Sequence, residues 1–521
     1  MKNASSESKK IFSGSLVKEN ILLFLFSVFT AFFVLMVCTK SSFLYPFNDW
    51  SDANCIFTVG KAAGNGQVIY KDIVDHKGPL LHFIHMFGYF ISNDTFIGMF
   101  VIEVITGSMF VFFSLKTALL YINKTFAFVS VPVCTALAFS SLAFCQGDSA
   151  EELCLPVFAF SMYVLLNAFK SGIYMSGKKL FAVGVLSACV LCIKYTMLGF
   201  FFGWIIVPVI WLIKDKKYKE ILNTFLWIGA GALTVVIPVV LYFVINGALG
   251  DLWEVYFYDN MFLYSKIDNN ASVFGKIISV FAAVKQNMYI FALDSKFMSL
   301  PIFAGLFGFL FIKGKKQKFA LYLCFILTVF TIFGTERYFA YYGVILSVFS
   351  VFGYIALFRF VSFALNKLDV KSKLENKKML VLIAPYASFV VAVGLSVILC
   401  FKFSPNVGFM KLSREELPQY KFKEIISREQ NPTLLNYGAM DAGFYTVCNV
   451  VPNCKYFCSL NLPISDISET QDKYVENGEG MFIVTVNCEL ENVKYELVST
   501  EDFKYENNPK TYRLYRLKNR T

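Results

Sequence analysis

The chain has 521 residues, 56% of them hydrophobic and 18% aromatic, with 48 Lys and Arg against 37 Asp and Glu for a net charge of +11 and a mean hydropathy of +0.57. Apolar runs such as Ile21 to Val37 and Met379 to Phe401 carry almost no charge over the roughly 20 helical residues that cross a bilayer, which excludes a soluble globular chain. The basic residues do not gather on one soluble face, so nucleic acid is excluded as a partner. The chain has no Walker A loop and no GxGxxG, so nucleotide hydrolysis has no support.

Lys2, Lys9, Lys10 and Lys18 precede the first apolar run. That run is long and no small-residue cleavage site follows it, as in an uncleaved signal anchor. Apolar segments near 20–38, 95–121, 125–145, 153–170, 180–193, 195–213, 221–246, 298–312, 319–334, 341–363 and 379–401 predict about eleven transmembrane helices. The piece 79–91 is short for a span and reads as a juxtamembrane or re-entrant helix. With the N-terminus inside, "KDKKYKE", "KGKKQK" and "KLDVKSKLENKK" all fall in inside loops, as the positive-inside rule requires. The same parity puts residues 39–78, "CQGDSAEE" (145–152), the 247–297 loop, "TERYFAYYG" (335–343) and the tail after Phe401 on one outer face. The expected fold is therefore an all-α polytopic membrane protein with a small extracytoplasmic α/β domain. Residues 1–19 form a cytoplasmic N-terminus, 20–401 the transmembrane domain with a first outer loop at 39–94, and 402–521 the C-terminal domain.

In the tail, "YKFKEIISREQ" has helical periodicity, "MFIVTV" and "TYRLYRL" read as strands, and Asn436-Tyr437-Gly438 and Asn477-Gly478 mark turns. There is no internal repeat and no low-complexity region. The thirteen cysteines show no paired CxxC pattern, and Cys189 and Cys192 in an apolar run read as packing. Four cysteines, Cys448, Cys454, Cys458 and Cys488, fall in the tail; outside the cell one disulfide such as Cys448–Cys454 is allowed, and spacing does not settle the pairing. The Phe, Ile, Lys and Asn bias suggests an AT-rich bacterial genome.

The outer segments collect the polar chemistry. Asp52 is either a carboxylate within reach of an acceptor hydroxyl or, with Ser51, an N-cap of the helix in "SDANCIFTVGKAA". Lys77 precedes Gly78-Pro79, which open the short helix, and suits a phosphate at the bilayer edge or a snorkelling lysine. Asp148, Glu151 and Glu152 crowd one turn, where they call for solvent, a cation or a helix-start role. Arg337 stands beside Glu336 as a local ion pair or a second phosphate ligand. His76, His82 and His85 allow a divalent cation but contain no HExxH, and packing or hydrogen bonding is the commoner use. Lys194 lies between two apolar segments as a polar anchor.

Together "SDANCIFTVGKAAGNGQVIYKDIVDHKGPLL", "GDSAEELCLP" and "RYFAYYG" resemble the GT-C superfamily of membrane glycosyltransferases, in particular the protein O-mannosyltransferase and lipid A aminoarabinose transferase branch, over roughly residues 15–400. The resemblance implies that Asp52 is the catalytic base, that Lys77 contacts the phosphate of a polyprenyl-phosphate sugar, and that the tyrosine-rich stretch with Tyr341 and Tyr342 borders the site. Ala53 follows Asp52 where the mannosyltransferases carry a "DE" pair. That counts against protein mannosylation and leaves a second acid to come from Asp49, Asp148, Glu151 or Glu152. The implied reaction needs no cofactor: a sugar passes with inversion from the polyprenyl phosphate to a cell-envelope glycan, lipid or protein at the outer face of the plasma membrane. The competing expectation is a transporter or flippase of lipid-linked saccharides, which would place ionisable residues in mid-span; Glu103 and Lys116 are the main ones.

Overall fold

The computed structural model describes residues 2–264, 272–367, 378–461, 465–505 and 508–518. The basic run "KLDVKSKLENKK" falls almost wholly outside the described residues. The long first helix, α1 (Lys2–Cys38), leads to α2 (Ser51–Gly64) and α3 (Pro79–Ile91), and then to α4 (Ile97–Leu119), α5 (Lys124–Phe139) and α6 (Ala150–Ser171). Next come α7 (Gly177–Lys194), α8 (Gly199–Lys214) and α9 (Tyr218–Ile245), a helical segment Leu252–Tyr264, and α10 (Val273–Asp294). Four more follow: α11 (Lys296–Phe309), α12 (Lys315–Phe333), α13 (Ser347–Lys367) and α14 (Lys378–Phe403).

Among the described residues nine helical stretches are long and apolar enough to cross a membrane. The difference from about eleven has local causes. Lys124–Phe139 and Lys296–Phe309 are apolar but shorter than the roughly 20 residues of a full span. Gly177–Lys214 is one apolar stretch of 38 residues, but Tyr195–Leu198 turns it with a 3₁₀ segment. Gly172 and Tyr174, just before the stretch, and Trp211 and Asp215, at and just after its other end, line one cavity, so the stretch doubles back as the two segments 180–193 and 195–213 anticipated. The helix α10 was not expected: it falls in a segment read as loop. Asn287 on it donates to the carbonyls of Phe333 and Thr335 at 3.1 and 2.8 Å, and Phe281 packs edge-on against Phe330. Its contacts with α12 thus gather at that helix's last turn. Its hydropathy is the weakest of the nine, because lysines interrupt it at 276 and 285.

Glycine lets two of the helices touch backbone to backbone. A Cβ on Gly184 of α7 would lie 2.1 Å from the Ile228 carbonyl oxygen of α9, and one on Gly231 of α9 would lie 2.1 Å from that of Phe181. Small residues at such crossings replace the hydrophobic driving force that lipid removes.

The C-terminal domain pairs α15 (Pro418–Ile426) and α16 (Ser465–Asn477) with a sheet. Its strands are β1 (Leu434–Asn436), β2 (Phe482–Val486), β3 (Tyr495–Tyr505) and β4 (Asn508–Leu517), in the order β1-β2-β4-β3. The β1–β2 pair is parallel, with Leu434 opposite Phe482; the others are antiparallel. The α/β character and both turns agree with the sequence, since Gly438 and Gly478 take positive φ values of 67° and 71°. β1, β3 and α16 were not anticipated. All thirteen cysteines are free: Cys454 donates to the Tyr456 carbonyl, and the Cys55 thiol lies 3.3 Å from that of Cys458.

The domain does not hang from the last helix as an appendage. Its core residues Phe422, Leu434, Phe444 and Phe482 form one cluster with Cys55, Val59, Ala62 and Tyr70 of the first loop. Asn54, Thr58 and Lys61 recur at i, i+4 and i+7, one stripe of α2. Thr58 donates to Asp441 at 2.7 Å, Asn54 accepts from Thr446 at 3.1 Å, and Lys61 donates to the Tyr445 carbonyl at 2.8 Å.

Candidate active site

Asp52 sits in the first turn of α2, but neither it nor Ser51 caps the helix: Trp50 is the N-cap residue and makes no side-chain capping bond. The carboxylate turns instead to the other side, where Tyr341 donates to Oδ2 at 3.2 Å and Lys77 Nζ stands 3.8 Å away. Asp52 is 7% exposed. Lys77 is placed by backbone on both sides. Its own carbonyl accepts from Tyr70 Oη at 2.5 Å, and the next amide, Gly78, donates to the Ile193 carbonyl at 3.2 Å. Pro79 then opens α3 at its first position, where its missing N–H costs nothing.

Lys77, Gly78, Lys194, Tyr256, Tyr341 and Tyr342 line a cavity of about 250 Å³, and His76 lines it too. Lys194 brings a second cation to it from the end of α7. Its ammonium pairs with Glu151 at 2.5 Å and lies 3.8 Å above the Tyr342 ring and 5.3 Å from that of Tyr341. Two ammonium groups, each next to a carboxylate and both within a half-apolar wall, make a place for an anion with an apolar tail.

Behind Lys77 lies Asp75, 1% exposed. Its carboxylate has Lys77 at 3.8 Å, His76 at 3.4 Å and His82 at 3.7 Å. Burial alone would raise its pKa, but Lys77 and the two histidines outweigh it and hold Asp75 well below the usual carboxylate range. Burial pushes His82 down to about 4 and lowers His76, with Lys77 adding to the latter. Burial disfavours the charged form of both imidazoles, so the fixed positive charge beside Asp75 is that of the lysine.

The acids of the second loop divide by role. Glu151 holds Lys194. Asp148 has φ +64°, a left-handed conformation uncommon for a side-chain-bearing residue. Two carboxylates fix it: its N–H donates to Glu103 Oε1 at 2.9 Å and Glu152 Oε2 at 2.8 Å, and its own carboxylate meets His85 Nε2 at 3.1 Å. Ser149 caps α6 by accepting from the Glu152 amide. Asp148 and Glu152 are thus structural neighbours of the cavity, joined to it through α3.

Two expected members, Arg337 and Asp49, lie elsewhere, and the histidines do not converge. Arg337 is not among the residues lining the cavity; its Nη1 donates to the Asn461 carbonyl at 3.0 Å and ties span to tail. Lys194 occupies the place expected of it. Asp49 pairs with Lys40 at 2.7 Å on a different wall. His82 and His85 share a face of α3 but turn to Asp75 and Asp148 respectively, so they do not converge on one ion. Among the described residues no three His, Cys, Asp or Glu side chains form a group able to hold a metal. Lys194 and Asp75 were the residues sequence reasoning undervalued. For Asp75 the signal was its position two residues before Lys77; for Lys194 it was a charge interrupting an apolar run.

No protein-family model matches the sequence, and no curated protein matches it. Among solved structures the chain is similar to ArnT from Cupriavidus metallidurans, determined bound to undecaprenyl phosphate. The TM-score is 0.54 and the identity 10%, over 92% of this chain and 96% of that one. At that identity it is the fold alone that is shared: the chain is a multi-pass protein with the GT-C fold.

Proposed function

We propose that the protein is a polyprenyl-phosphate-dependent glycosyltransferase, a hexosyltransferase that passes its sugar with inversion to an acceptor hydroxyl at the extracytoplasmic face. The observation that carries this reading is the opposition of Lys77 and Asp52 across 3.8 Å beside a cavity that also holds Lys194. The undecaprenyl phosphate bound by ArnT supports a donor of that class.

In this reading the bilayer supplies the donor laterally, and its phosphate meets Lys77 and Lys194. As the glycosidic C–O bond breaks, negative charge grows on the departing phosphate. Cations already fixed by Asp75, Glu151 and the tyrosine rings stabilise that charge without reorganising. Asp52 removes the proton from the attacking hydroxyl, and Tyr341 orients its carboxylate. The acceptor belongs to the cell envelope, the N-terminus lies in the cytoplasm, and no cofactor takes part. The transporter reading loses its motive. Glu103 is engaged at the Asp148 amide and Lys116 at Asn20 Oδ1, 3.0 Å away, and neither lines the cavity.

The test is sugar release from a panel of polyprenyl-phosphate sugars by the purified protein. Lys77→Ala should weaken donor use by about 1.5–3 kcal/mol, the size of a hydrogen bond to a charged group, and Lys77→Arg should restore only part of it. Unchanged donor kinetics in Lys77→Ala would reassign the lysine to snorkelling and remove the phosphate site.

A further inference from the structure

A second cavity, of about 680 Å³, lies between the C-terminal domain and the loops of the membrane domain. Its size is that of a ligand site, typically about 300–1,000 Å³. The wall that divides it from the lysine cavity is thin in sequence. Ser51 faces the large cavity while Asp52 turns to Lys77, and Ala340 lines the large cavity while Tyr341 lines the small one. Burial, then Glu151 and Asp52, push the thiol of Cys145 in the large cavity up to about 12, so the Asp52 charge is felt there.

We infer that this cavity is the acceptor site, and that it takes a neutral, polyhydroxylated glycan arriving from the aqueous side. The inference rests on the transferase reading above and adds to it the acceptor's chemistry. In a displacement with inversion the attacking hydroxyl and the departing phosphate lie on opposite sides of the anomeric carbon. If the phosphate is at Lys77, the hydroxyl comes from the other side of the anomeric carbon, and the large cavity opens at Ser51 and Ala340, the chain neighbours of Asp52 and Tyr341. Its charged side chains are two lysines, Lys40 and Lys510, and two aspartates, Asp49 and Asp441, so it carries no excess charge to draw an anion. Lys40 is already committed, paired with Asp49 at 2.7 Å and laid 4.2 Å over the Phe409 ring. Phe409, Tyr505 and Tyr512 supply flat apolar faces, and Gln419 and Asn508 supply amides. A sugar, with C–H faces and a belt of hydroxyls, matches that mixture; a phosphate-bearing acceptor finds no unpaired cluster of cations. Most of the wall comes from the C-terminal domain, including Tyr505 of β3 and Tyr512 of β4, so the approach is from water and not along the lipid.

The experiment uses the full-length protein in nanodiscs with a lipid-phosphate sugar that the wild type accepts. Methyl hexosides and short neutral oligosaccharides are compared with a glycerol-phosphate trimer as acceptors. Transfer to the neutral probes and not to the trimer is expected. Ala439→Trp, which fills the cavity from the tail side, should raise the half-saturating acceptor concentration at least tenfold and move that of the donor less than twofold. Asn508→Trp, at an exposed position on the sheet side, repeats the block should the first variant fold poorly. Preference for the trimer, or unaltered acceptor saturation in both tryptophan variants, overturns the acceptor assignment while leaving the transferase reading standing. A wild type that releases sugar from none of the lipid-phosphate donors sinks the transferase reading, and the acceptor site with it.

Discussion

At Asp52 the structure separates two roles that sequence left open. An N-cap carboxylate can be exchanged for Asn at almost no cost, because the two rank together there. Asp52 makes no capping bond and faces Lys77 and Tyr341. Asp52→Asn keeps volume and an oxygen for Tyr341 but removes the proton acceptor. Turnover should fall by about 10²–10⁴-fold, the usual share of general-base catalysis, with donor binding retained. Near wild-type transfer would move the base elsewhere. Lys61 gives a second prediction. Burial pushes its pKa down to about 7 from an ordinary 10.5, so the folded state disfavours the charged amine. The favourable contribution is therefore complete only above the unfolded value and is lost as pH falls through the folded one. Docking of the tail on α2 should tighten as pH rises from 7 toward 10, above the range of Asp441, which burial raises to about 6. Protease protection of the tail against pH reads it, and Lys61→Met should flatten the slope. Lys77 was legible because a cation before Gly-Pro at a helix start is a local pattern. Arg337 was misplaced because a charged neighbour, Glu336, says nothing about which element the guanidinium will reach.

Gly78 shows how elements hold the site. A Cβ there would lie 2.2 Å from the Cys192 carbonyl oxygen and 2.5 Å from that of Ile193, so the start of α3 rests on the end of α7 with nothing between. That contact fixes Lys77 relative to Lys194. Gly78→Ala should therefore weaken donor use although it touches neither ammonium, by about 1–3 kcal/mol, the cost of forcing extra volume into a packed contact. The check is donor against acceptor saturation: a change confined to the acceptor would contradict it. Most helices were legible from their apolar runs, and the short helix 79–91 from its proline. α10 was not, because Lys276 and Lys285 thin its apolar face to the level of a polar loop. The stripe Asn54, Thr58, Lys61 was written in α2 at helical spacing, but a polar stripe reads as solvated until the tail is seen to cover it.

At the scale of the whole molecule the positive-inside count proposes one orientation, with the tail outside. Cys488, exposed in the tail, should react with an impermeant maleimide in intact cells, and Lys216→Cys should react only after permeabilisation. Labelling of position 216 from outside would invert that topology and, with it, the side proposed for transfer. A chain ending at Phe403 should transfer no sugar even if it inserts, since α2 would lose the partners of Thr58 and Lys61 and the acid at its start would be unsupported; activity in that truncation would show the tail to be dispensable. The division into a membrane part and a small α/β tail was legible from composition. Their common core was not, because it joins residues more than 380 positions apart.

That separation has a consequence in time. Thr58 bonds Asp441 across 383 positions, Lys61 reaches Tyr445 across 384, and Thr446 reaches Asn54 across 392. A ribosome adding about 5–20 residues per second needs roughly 20–80 s to travel that far. Through that interval the helix bearing Asp52 is already made while the segment that seats it is not. On the transferase reading, the stretch holding Asp441, Tyr445 and Thr446, made long after α2, therefore decides when the catalyst begins to work.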